Sequence, residues 1–104
     1  MATTCGAESM TAEELQSLDL ARLGFALSEL LVALAATARD AIDARKRMGR
    51  ARVSWRRKDG SFASKDAFEA ELEEARTEFD SLRLRAASLR DLKSTLQTII
   101  RAIP

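Results

Sequence analysis

The sequence predicts an all-α fold, an antiparallel two-helix hairpin of coiled-coil type, on three observations. The first is that the only proline is the last of the 104 residues, Pro104, so nothing before it removes a helical N–H. A second is that apolar residues recur at alternating spacings of three and four over two long stretches. The third is the dipeptide Asp59-Gly60, which interrupts the chain between those stretches with strong turn chemistry.

Residues 1–10 are small and polar and read as a flexible N-terminal tail holding the single cysteine, Cys5; residues 11–104 read as one domain. The first helix is expected over 11–48. It opens on a capping box, Thr11 with Glu14 three residues on. Leu20, Leu23, Leu27, Leu30, Leu34 and Ala41 form its seam, and Gly49 after a run of cations reads as its C-terminal stop. A basic loop is expected over 49–63, with a small two-stranded flap or irregular chain around Val53–Phe62. Ser64 then caps a second helix over 64–103, whose seam runs Phe68, Leu72, Ala75, Phe79, Leu82, Ala86, Leu89, Leu96, Ile100 and Ile103, broken only at Lys93. Lys93 is expected to extend along its apolar stem to solvent, or to pair with Asp19.

Charge supports the folded-back arrangement. Each predicted helix begins acidic and ends basic, so antiparallel pairing brings opposite signs together. The formal net charge of +1 conceals a division: residues 45–58 carry eight of the seventeen Lys and Arg and no acid, leaving nine bases against sixteen acids elsewhere. Arg45, Lys46 and Arg47 are expected beside Asp66, Glu69 and Glu73. Arg50, Arg52, Arg56, Arg57 and Lys58 have only Asp59 near them. With Trp55, the only tryptophan, these residues form the candidate partner-binding or nucleic-acid-binding set: Arg45, Lys46, Arg47, Arg50, Arg52, Trp55, Arg56, Arg57 and Lys58.

A second candidate surface is the face of Leu18, Phe25 and Val32 on the first helix, opposite its seam, together with Leu92 and Ile99 on the second. Two helices cannot cover both sides, and full burial of such a side chain is worth about 1.5–3 kcal/mol. The face is therefore expected to be covered by a second copy, giving a dimeric four-helix bundle, or by a partner helix. A third short helix over it is the alternative that would leave a monomer.

The composition argues against catalysis. There is no histidine and no tyrosine, no glycine-rich phosphate loop and one cysteine, so neither a catalytic residue nor a cofactor or metal site is expected. The lone cysteine fits a cytoplasmic protein. Residues 22–38 are apolar, but acids precede them and Glu29 lies within, at a cost of about 2.5–3.5 kcal/mol in a bilayer; a membrane span or cleaved leader is not expected. The length, the central tryptophan and the paired helices resemble WXG100 hairpins in outline. Arg57 stands where that motif has glycine, and the tyrosine of its export signal is lacking, so the chain is not assigned there. The expected function is a non-enzymatic protein–protein interaction module that self-associates and presents its basic turn to a protein partner. A nucleic-acid-binding protein, and a small chaperone or inhibitor of one target, are the alternatives.

Overall fold

The computed structural model describes residues 5–104, which are all-α: 84% of the chain is helical, and no strand occurs among the described residues. The order is a 3₁₀ turn, Gly6–Ser9, then α1 (Ala12–Gln16), α2 (Leu20–Arg57) and α3 (Lys65–Arg101). Helix α2 has 38 residues and α3 has 37, and the two pack against each other. The residues group into two compact units: one takes the chain up to Thr37 together with Arg85–Pro104, the other is Ala38–Leu84.

In the first unit the expected seam forms the core. Leu23, Leu30, Leu89 and Leu96 are fully buried, and Ala26 and Ala33 let the backbones approach. Thr37 is buried too, with its hydroxyl donating to the Ala33 carbonyl at 2.7 Å, so the polar group is satisfied. Two expectations are corrected here. The capping box at Thr11 and Glu14 is present, but the helix it starts stops after five residues. Ser17 turns its hydroxyl back to the Glu14 carbonyl at 2.6 Å, and Asp19 restarts the helix by accepting from the Arg22 N–H at 2.8 Å. A side chain that satisfies free N–H groups at this point favours a new helix start over continuation. Asp19 is thus a cap, and it forms no ion pair with half-buried Lys93.

The second correction concerns the N-terminal segment. Of the expected flexible tail, residues 1–4 lie outside the described residues; the rest is packed. Cys5, Ala7 and Leu15 are buried in the same core, and Glu8 meets Arg85 at 3.1 Å. Leu18, Leu92 and Ile99 pack against this cluster and do not form the free face expected of them. The short helix takes part in covering what two helices leave open, but Phe25 and Val32 remain 68% and 61% exposed, with Leu20 and Leu31 also in solvent.

In the second unit α2 does not end near Met48. It continues through Gly49 to Arg57, so the expected loop 49–63 is helical over its first nine positions and the flap is not formed. The reason is visible in the seam: Ala44, Met48, Ala51 and Trp55 prolong the three-four spacing, and Ala44 and Ala51 are buried, as is Ala75 from α3. Tertiary burial together with Ala and Arg, both strong helix formers, outweighs one glycine at about 1 kcal/mol. Helix α2 closes instead on Lys58, whose φ is 53°, with Lys58 N–H donating to the Trp55 carbonyl at 3.2 Å and Asp59 N–H to the Ser54 carbonyl at 3.4 Å. These two bonds make a Schellman motif, here with lysine where glycine is usual. Gly60, at φ 86°, completes the reversal, and Ser64 caps α3 by accepting from Ala67 N–H at 3.2 Å.

Candidate functional site

The charge-rich end of α2 is built by that late stop. Nine additional residues of helix beyond Met48 replace an irregular loop, so the cations are held on a rigid cylinder at fixed spacing. Lys46, Arg50 and Arg57 share one side with half-exposed Val53, whereas Arg52, Arg56 and Lys58 flank the aromatic residues on another.

Arg47 belongs to neither group. Its Nε and Nη2 bind the two carboxylate oxygens of Glu71, the second at 2.9 Å, while Nη2 reaches Glu74 at 3.2 Å and Nη1 reaches Glu78 at 3.4 Å. The hydrogen bond from Arg47 is the main cause holding the Glu71 carboxyl below its ordinary range, and the same contacts raise Arg47. Sequence reasoning placed Arg45–Arg47 against Asp66, Glu69 and Glu73. The observed partners lie farther along α3, and α2 runs nine residues past its expected end. Arg45 and Lys46 are exposed and make no ion pair among the described residues.

Arg50, Arg52, Arg56, Arg57 and Lys58 likewise are exposed and form no ion pair among the described residues. The nearest acid, Asp59, is engaged by its own turn: it accepts from Ser61 N–H at 2.9 Å. Hydrogen bonds from Ser61 chiefly, then from Ser54, and the positive charge of Arg57 lower its pKa.

Trp55 is half-buried and not presented as an open platform. Its ring stacks on Phe68 with centroids 5.2 Å apart and planes 8° from parallel, and Phe62 meets Phe68 edge-on at 5.6 Å. Phe62 and Phe68 were not among the sequence-predicted site residues. The signal was present, since Trp55 is the last seam position of α2 and Phe68 the first of α3. Around these rings lies an open cleft of about 670 Å³, lined also by Arg52, Arg56 and Lys58 and by no carboxylate.

Chemically, the arrangement offers hydrogen-bond donors, positive charge and apolar surface. Among the described residues no cluster of three His, Cys, Asp or Glu is placed to hold a metal ion. Helix α2 contains a window of mean hydropathy 1.6 that is long and apolar enough to cross a membrane by length and composition, and 28% of that window is buried within the protein. No known protein family, curated protein or solved structure matches the chain.

Proposed function

We propose that this chain is a non-enzymatic, cytoplasmic protein–protein interaction module: a helical hairpin whose basic turn docks on an acidic protein surface and which pairs with a second copy through the Phe25 and Val32 face. The observation that carries the reading is the unequal treatment of the cations. Arg47 is answered by three glutamates, while Arg50, Arg52, Arg56, Arg57 and Lys58 are exposed on one rigid end without an ion pair among the described residues. Such a cluster speeds encounter with acidic surfaces and selects against basic ones. Stability within the hairpin does not require it, because exposed pairs contribute only about 0–1 kcal/mol.

A protein partner is favoured over nucleic acid by Trp55. Base stacking needs an accessible ring face, and one face of this ring is already against Phe68. Acids on the neighbouring stretch of α3, Glu69, Glu73 and Glu74, also oppose a long polyanion. Self-association is supported by the exposure of Phe25 and Val32, each worth about 1.5–3 kcal/mol on full burial.

Titration of a capped tetra-glutamate peptide and of duplex and single-stranded oligonucleotides, at low and physiological salt, tests the docking reading. The tetra-glutamate peptide is expected to bind and to release on charge reversal of Arg56 and Arg57. Oligonucleotide binding that is tighter, with log affinity falling by about 0.9 (duplex) or 0.7 (single strand) per phosphate contact against log salt, would replace the protein partner by nucleic acid.

A further inference from the structure

The basic turn has a feature that charge alone does not need. An open cleft of about 670 Å³ lies between the end of α2 and the start of α3, with Trp55, Phe62 and Phe68 providing apolar surface and Arg52, Arg56 and Lys58 providing charge. This volume is within the range of sites that take small ligands or single anchoring side chains. The aromatic part is preorganised: the Trp55–Phe68 stack and the edge contact from Phe62 hold three rings together, so little side-chain freedom remains to be lost on binding. None of its lining residues is an acid, and Asp59 beside it is turned into the loop by the Ser61 N–H. Lys58 is held there by a left-handed backbone conformation that usually selects glycine.

We infer that this cleft is a peptide-binding site for a short acidic segment carrying one large apolar side chain, the side chain entering against Trp55, Phe62 and Phe68 and the flanking carboxylates pairing with Arg52, Arg56 and Lys58. The inference rests on the reading of the basic turn as a docking surface for an acidic protein, and specifies what that surface recognises. An aromatic or aliphatic anchor surrounded by charge is the arrangement in which a small interface concentrates its affinity. Carboxylates close to the anchor reach the guanidinium groups as charge-assisted hydrogen bonds. A short segment with a few acids is also repelled less by the glutamates of α3 than a polyanion is.

Trp55 is the only tryptophan, so its fluorescence reports directly on the cleft. The probes are three capped peptides, Glu-Asp-Phe-Glu-Asp, Glu-Asp-Leu-Glu-Asp and Glu-Asp-Gly-Glu-Asp, and a twelve-residue oligothymidine, titrated into the full chain at low and physiological salt. The phenylalanine peptide is expected to change Trp55 emission and to bind more tightly than the glycine peptide by roughly tenfold or more, the least that burial of a phenyl ring implies. Arg56→Glu should abolish binding of all three peptides. Phe62→Ala, in the loop, should bring the phenylalanine-to-glycine ratio towards one while circular dichroism stays unchanged. Equal binding of the three peptides, still lost in Arg56→Glu, would overturn the cleft and leave the acidic docking surface standing. No peptide binding at low salt would overturn both. Tighter binding of oligothymidine with a Trp55 response would assign the cleft to nucleic acid.

Discussion

Substituting Gly49 by alanine separates two structures of the basic segment by the sign of the effect. If Gly49 ended the helix in a left-handed conformation, a methyl group there would cost about 1–2 kcal/mol. In the structure Gly49 lies inside α2, its φ is not positive, and a Cβ built on it meets nothing within 4 Å. Only the helix propensity difference then remains, about 0.8–1 kcal/mol in favour of alanine. For a domain of this size that corresponds to a rise in melting temperature of roughly 3–8 °C. Urea denaturation followed at 222 nm, with a thermal scan beside it, measures both. Gly60→Ala is the internal control: Gly60 has φ 86°, so the same chemical change should destabilise by about 1 kcal/mol. Lys58→Gly relieves the positive φ at the Schellman position and should stabilise by a similar amount. A Gly49→Ala protein less stable than the parent would refute the continuous helix, and with it the rigid display of Arg50 to Arg57.

Other expectations follow from the packing and the charges. Leu30→Ala or Leu89→Ala, each emptying a fully buried seam position, should cost about 2–5 kcal/mol in the same urea assay, while Leu84→Ala, 72% exposed, should change little. The depressed Glu71 carboxyl contributes stability that is present above its unfolded pKa of about 4.5 and is lost as pH falls through its lower folded value; Glu71→Gln should flatten this acid limb of the stability profile, measured by urea midpoints from pH 7 down to 3. Light scattering at micromolar concentration should give about twice 11.5 kDa, reduced to the single-chain mass by Phe25→Glu; a single-chain mass for the parent would remove the second copy. Cys5, 5% exposed in the core, should react with a thiol reagent only as fast as its segment opens.

The long-range periodicity was legible because it is repeated: Leu23, Leu30, Leu89 and Leu96 are the buried seam that their spacing predicts, and α3 starts and stops within two residues of its expected bounds. Of the five residues of the second surface, Phe25 and Val32 are exposed. What misled was local punctuation weighed without packing. Gly49 among cations has the form of a helix end, but Ala44, Met48, Ala51 and Trp55 continue the seam past it, and burial of that seam is stronger than one residue's propensity. Asp19 looked like one more acid of a helical first turn, whereas it caps a new helix. The burial of Cys5 and Ala7 carries no sequence signal of its own, since the core they join includes Leu89 and Leu96, some eighty to ninety positions away in the chain. For the candidate site, the cations were visible as a run; the pairing of Trp55 with Phe68 needed the helical register that ending the first helix at Met48 obscured.

Residue-resolved mapping of an acidic probe decides whether the basic turn is the docking surface. With the chain labelled with nitrogen-15, amide shifts are followed during titration with a capped tetra-glutamate peptide at low salt. Docking at the basic turn should concentrate the shifts in residues 50–62 and at the first turn of α3, abolish them when Arg56 and Arg57 are reversed, and leave the Phe25 and Val32 face of α2 unmoved. Shifts that centre on residues 20–36 instead, or that persist after the charge reversal, would contradict it.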